Sequence, residues 1–242
     1  MVTKVIDSLP KLLAVIDEYS DHLVRMGTPL DPNGFPVLGR ESFLDEWPDA
    51  IVPYYHRRAP FVTRPDRTVL CFYDSDRNIY PRLERVLEDV QTYQGFLGVI
   101  GSDVTVTADM DMEWQAAIML LNALFTAVLA AHGVRVVANL RAGSEETIQY
   151  LSYVPMGVMC ASGFLGCART GSPHDYSYTS KILRVMPSGL LLYGRHDPEV
   201  ERQLDEVGVS YRSYPDARSL HFAGRGRKGR GQVLGASWPG PM

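Results

Sequence analysis

Between residues 67 and 223 the chain alternates short apolar, β-branched runs with longer stretches in which apolar positions recur every three or four residues. The short runs fall at 68–73, 96–100, 134–138, 157–161, 189–193 and 209–212, and the longer patterns at 80–93, 112–132, 144–151, 178–185 and 198–207. A strand covered on both faces reads as a continuous apolar run and a packed helix as a 3.6-residue stripe. The alternation therefore predicts an α/β fold with a mostly parallel sheet built from about six βα units, open or barrel-like. Local chemistry supports several boundaries. Gly133 and Gly208 stand where a helix stops in a left-handed conformation before a strand. Asp197 before Pro198 offers an N-cap followed by a proline in the first turn, and Glu145 and Glu146 place acids where a helix dipole favours them.

Ahead of this repeat, residues 9–26 place Leu12, Leu13, Ile16, Tyr19 and Leu23 at helical spacing, which predicts an N-terminal amphipathic helix. Residues 27–66 break the pattern with prolines and glycines and carry Phe35, Phe43, Trp47, Tyr54, Tyr55 and Phe61. They are expected to form an irregular wrapping segment whose aromatics pack on the main domain. The chain divides on this reading into an N-terminal helix and wrapping segment (1–66), an α/β domain (67–223) and a basic Gly/Arg tail (224–242) expected to be disordered.

Composition changes the picture in three places. With 45% hydrophobic and 21% charged residues in 242 positions, the chain can bury a sizeable core and lies outside the disordered class. Between Trp114 and Ala131 only Gln115, Asn122 and Thr126 are polar, a length and content that could span a membrane. The abundance of alanine, the lack of close basic flanks and the position between two strand runs predict a core helix instead, with no membrane partner. No basic start leads into a short apolar run and cleavage site, so a cytoplasmic location is expected. Cys71, Cys160 and Cys167 form no C-x-x-C pair, which points to reduced thiols rather than a disulfide framework or a thiolate zinc site.

Charge is uneven. Arg225, Arg227, Lys228 and Arg230 stand in the tail without an acid, so the formal net charge of −4 divides into +4 there and −8 over the rest. A body that acidic is a poor general nucleic-acid binder, whereas a basic tail can touch phosphates.

In parallel α/β folds the residues just past the C-terminal strand ends line the ligand crevice. Here those positions hold Asp74, Ser75 and Asp76, then Ser102 and Asp103, then Asn139 and Arg141, then Ser162 and Gly163, then Gly194, Arg195 and His196. Asp74, Asp76, Asp103, Asn139, Arg141 and Arg195 are the ligand-binding candidates. Three carboxylates on neighbouring strand ends suit a hard divalent ion such as magnesium, and Arg141 with Arg195 suits a bidentate phosphate clamp. The competing reading gives Asp after a strand a turn or capping role and pairs the arginines with those acids. His196 beside Asp197 could act as an acid or base, but Asp197 already has a capping task, and His174-Asp175 lies in a loop-like stretch. Cys160 on a strand reads as an inert core thiol. No G-x-S-x-G elbow, Walker loop or H-E-x-x-H helix occurs, and Gly224 to Gly229 match G-x-G-x-x-G without opening a helix after a strand.

Four stretches together carry a resemblance: Phe72-Tyr73-Asp74-Ser75-Asp76, the run from Gly98 to Val106, the run from Val134 to Arg141, and Leu190 to Gly194. They resemble the domain of unknown function family 4417. The resemblance implies an origin in a phage or integrated mobile element of a Gram-positive bacterium, hence the bacterial host cytoplasm, and brings no activity with it. The family pattern differs around Gly101-Ser102-Asp103 and Asn139-Leu140-Arg141, so roles for Asp103 and Arg141 rest on their strand-end positions. The function expected is binding of a small anionic or nucleotide-like ligand at the C-terminal edge of the sheet. The alternative is a non-catalytic interaction protein that meets a host or phage protein through the aromatic segment.

Any nucleic-acid binding should come through the tail. Deleting residues 224–242 is expected to abolish it, and in the full chain log affinity for duplex DNA should fall against log salt with a slope of roughly −3.6 for four phosphate contacts. Gel-shift titrations at several salt concentrations check this, and equal binding by the truncated chain would place the site in the body.

Overall fold

The computed structural model describes residues 6, 8–163, 177–194 and 198–226. Seven strands form one all-parallel sheet among these residues, in the order of the chain: β1 Ala50–Pro53, β2 Thr68–Cys71, β3 Gly98–Ile100, β4 Val136–Asn139, β5 Met159–Gly163, β6 Gly189–Tyr193 and β7 Tyr211–Tyr214. The helices are α1 Leu9–Arg25, α2 Asp76–Leu83, α3 Val86–Gln94, α4 Met112–Ala131, α5 Ser177–Val185, α6 Pro198–Glu206 and α7 Ala217–Gly226. Parallel neighbours need crossovers, and crossovers of one hand in unbroken strand order place every helix on the same face. Two separate apolar clusters show this arrangement. One joins Leu70, Phe72, Val99, Val136, Ala138, Cys160, Leu190 and Leu192 to side chains of the helices. The other consists of Leu44 with strand and strand-end residues, among them Ile51, Val69, Cys71, Ile100, Val137, Met159, Leu191, Tyr193 and Tyr214. The sheet therefore curls into a nearly closed barrel filled by its own inward side chains.

The barrel closes without a ladder between β7 and β1 among the described residues. Side chains bridge the seam instead. The inward Tyr214 donates its hydroxyl to Pro48 O at 3.0 Å, and the Arg212 guanidinium lies 4.7 Å from the ring of Trp47. Trp47 also covers the N-terminal opening, where its ring leaves no room for a Cβ on Gly189. Leu44 inserts beside it. Its N–H donates to Val136 O at 2.8 Å on the side of β4 that faces β5.

These contacts revise the reading of residues 27–66. The segment supplies β1, so the sheet begins before residue 67. Phe35, Phe43 and Tyr54 are buried, Phe35 stacks on Tyr150, and Tyr54 packs on Phe72 and Tyr93. The predicted helix over 80–93 is two helices. Pro81 denies a hydrogen bond to the preceding turn, and Arg85 leaves helical geometry at φ −118° and ψ 21°. Residues 145–153 wind as a 3-10 helix where an α-helix is expected, and α7 takes the first residues of the basic stretch, up to Gly226.

On α1, Leu12, Ile16, Tyr19 and Leu23 face α4, while Leu13 points outward. α4 is long and apolar enough to cross a membrane, yet 67% of its most apolar stretch is buried beneath α1, α3, β4 and the 3-10 helix. It is the central core helix of the outer layer.

Replacing Tyr214 by Phe removes the seam hydrogen bond and leaves the buried Pro48 carbonyl without its partner. The variant should lose about 1–3 kcal/mol in urea unfolding, with a lower midpoint and an unchanged m-value.

Candidate functional site

Because all strands run parallel, Asp74, Asp103, Asn139 and Gly194 lie at one edge of the barrel, as the sequence predicts. Within that edge a polar cluster forms after β2, β3 and β4. Asn139 ends β4 and turns inward, 6% exposed. Its carbonyl oxygen accepts the Tyr73 hydroxyl at 3.2 Å, while its amide nitrogen donates to Ser102 O at 3.1 Å and to Asp103 Oδ1 at 2.9 Å. Arg141 lies 3.8 Å from the same carboxylate oxygen.

Packing holds this cluster in place. α4 is nearly all apolar, and its three buried polar side chains secure the loops after β3 and β4. Asn122 accepts the Ser102 hydroxyl at 2.6 Å and the Val104 N–H at 3.3 Å. Thr126 donates to Asn122 O at 2.9 Å and leaves no room for a Cβ on Gly101. Gln115 donates to Met110 O and accepts from Ser144 N–H, both at 2.7 Å. Below the mouth, Tyr73 stacks on Tyr193 at 5.4 Å and covers the place a Cβ of Gly163 would occupy.

The electrostatics are those of a carboxylate short of water. Asp103 keeps 16% of its side-chain exposure, and Arg141 keeps 21%. Desolvation raises the Asp103 pKa, overcoming the opposing pull of Arg141, the Asn139 hydrogen bond and Lys181, while Asp76 adds to the rise. Lys181 on α5 is 5% exposed. A charged trio this dry costs several kcal/mol per ion to assemble and is weak as a device for stability. Such groups gather at binding and catalytic sites.

The other sequence candidates separate from this group. Asp74 accepts from Ser75 N–H at 2.7 Å and from the Asn78 side-chain amide at 3.0 Å, a local turn task. Asp76 accepts both the N–H and the hydroxyl of Thr105 at 3.0 Å, tying the start of α2 to the loop after β3. The three carboxylates do not gather as a divalent ion such as magnesium would require: no group of three or more His, Cys, Asp or Glu suited to a metal exists among the described residues, and each Asp is held by different partners, in line with the competing reading. Arg141 approaches Asp103, and the second arginine of the expected clamp, Arg195, lies outside the described residues. Arg195, His196, Asp197, His174, Asp175, Cys167, Lys228, Arg227 and Arg230 lie outside the described residues. Arg225 lies in α7, whose backbone alone is described there. Cys71 and Cys160 are buried free thiols, and burial raises both pKa values, which suits inert core residues.

Tyr73 and Lys181 were absent from the sequence candidates. Tyr73 could have been found as the last inward position of the β2 run. Lys181 shares a helical stripe with Val185, and a lysine on the buried face of a helix is itself a signal.

A family described as Domain of unknown function (DUF4417) has a model that matches residues 31–214, from the wrapping segment through the last residue of β7. No curated protein and no solved structure matches the chain.

The raised Asp103 pKa has a definite sign for stability. Between the unfolded value of about 3.9 and the higher folded value, the folded state holds a proton that the unfolded chain has released. Stability therefore falls as pH rises through that window, and the loss persists at neutral pH. Asp103→Asn should melt higher than the wild type at pH 7, with the gain shrinking as pH drops towards 4. A variant that melts lower at pH 7 would show that the ionised form is favoured by the fold.

Proposed function

The chain belongs to the family described as Domain of unknown function (DUF4417), and on that premise we propose that it is a phage or mobile-element protein that binds a small anionic or nucleotide-like ligand at the C-terminal mouth of its barrel. The carrying observation is the gathering of Asp103, Asn139, Arg141 and Lys181 at that mouth, where three charged groups are mostly withdrawn from water. A parallel barrel concentrates its ligand chemistry at this edge, because the loops there are free to vary while the strands hold their ends fixed. In the reading we favour, Asn139 and Tyr73 set the position of Asp103, and Arg141 and Lys181 supply positive charge to the ligand. The Asp103 carboxyl, with its proton affinity raised, is suited to exchange a proton with a bound hydroxyl or amine.

The test is a thermal-shift and calorimetric panel of nucleoside phosphates, sugar phosphates and dicarboxylates. A true ligand at 100 times its Kd adds about 2.7 kcal/mol, a rise of roughly 5–10 °C for a domain of this size. Arg141→Met and Lys181→Met should each weaken it by about tenfold or more while remaining folded. Binding that survives both substitutions unchanged would sink the proposal.

A further inference from the structure

A cleft of ≈ 530 Å³ opens at the C-terminal ends of β1 and β2 between the 3-10 turn Tyr54–His56 and α2. None of Tyr73, Asp103, Asn139, Arg141 or Lys181 lines it. Its walls carry three guanidiniums, from Arg57, Arg77 and Arg82, against the single carboxylate of Asp74. Two of these charges are already engaged. Arg82 pairs with Asp89 at 2.9 Å, and Asp74 is held by Ser75 N–H and the Asn78 amide. That leaves Arg57 and Arg77, neither of which meets a carboxylate among the described residues.

Arg57 is fixed by other means. Its guanidinium lies 4.1 Å from the centre of the Tyr54 ring and donates to Tyr54 O at 3.1 Å, while its Nε is sealed from water without an acceptor. A planar donor set already immobilised on an aromatic face has little entropy left to lose when it grips an oxyanion. Arg77, exposed on the first turn of α2, brings a second cation to the same wall. Tyr55 adds a flat apolar surface: the residue is 55% exposed and its ring lies 4.1 Å from the ring of His56. The volume falls in the range of sites that take small organic ligands.

We propose that this cleft binds a phosphate monoester of mononucleotide size, with Arg57 and Arg77 on the phosphate and Tyr55 against the planar part of the molecule. The site uses none of Tyr73, Asp103, Asn139, Arg141 and Lys181 and stands independently of the ligand proposed for that cluster.

The experiment is isothermal titration of the full chain and of its Asp103→Asn variant, at low salt, with inorganic phosphate and with adenosine monophosphate as probes. Both probes should bind, the nucleotide more tightly, and Asp103→Asn should retain this binding. Arg77→Ala and Arg57→Lys should each weaken both probes by about tenfold or more, although the second keeps the charge. Tyr55→Ala should weaken the nucleotide and leave phosphate unchanged. Arg58→Ala, an exposed arginine outside the cleft, should change neither. Circular dichroism of each variant confirms the fold, and Arg77→Ala, at an exposed position, serves as the decisive variant. Binding that is unaffected by Arg77→Ala, that weakens as much with Arg58→Ala, or that vanishes with Asp103→Asn would overturn the proposal. So would a single-stranded oligonucleotide that outcompetes the nucleotide and depends on Arg58.

Discussion

The side-chain amide of Asn139, almost wholly withdrawn from solvent, must find partners within the protein, and much of the mouth is arranged around that requirement. A buried amide left unsatisfied costs about 1–3 kcal/mol, so the groups around it are constrained to meet it. Its oxygen takes the Tyr73 hydroxyl from just past β2, and its nitrogen holds the backbone and side chain of the loop after β3. Tyr73 can reach it because Gly163 on β5 presents no side chain. The Tyr73 ring then rests on Tyr193 of β6, whose hydroxyl accepts from Ala217 N–H at the start of α7. One polar group on the fourth strand thus links strands two to six and the entry to the last helix.

The same arrangement explains why the charged residues lie where they do. Asp103 is placed by two hydrogen-bonded neighbours, Asn139 beside it and Ser102 before it, and Ser102 is in turn held by Asn122 on the core helix. Rigid support of this kind lets a barrel keep a partly dehydrated carboxylate at a fixed place, although the fold would be more stable with a neutral group there. Sites that bind or react commonly sacrifice stability in this manner, whereas residues chosen for packing alone do not.

How much of this was legible beforehand follows from what each signal depends on. Strands β2 to β6 announced themselves because their apolar runs are largely buried on both faces, whereas the half-exposed β7 was marked by the glycine stop ahead of it, and parallel order then placed Asp103 and Asn139 on one edge without further knowledge. β1 was hidden, since Ala50–Pro53 is brief, ends in proline and sits among turn residues, and only pairing with β2 makes it a strand. The grouping of three aspartates was misleading for a related reason. Position along the chain fixes the edge on which a side chain emerges but not its direction, and Asp74 and Asp76 turn to Asn78 and Thr105 instead of to Asp103. Lys181 escaped notice because its charge outweighed its place on the apolar stripe of α5.

The seam between β7 and β1 carries a consequence for how the molecule comes into being. Its hydrogen bond joins positions 166 residues apart, whereas each neighbouring strand pair inside the sheet is joined by a much shorter stretch of chain. At synthesis rates of about 5–20 residues per second, roughly ten to thirty seconds separate the appearance of Pro48 from that of Tyr214. Until Tyr214 is made the seam hydrogen bond cannot form, and β1 has no partner on its outer border. Trp47 and Leu44, carried by the early segment, are the first large apolar side chains able to shelter the inward face of the sheet on the ribosome before the last strand arrives.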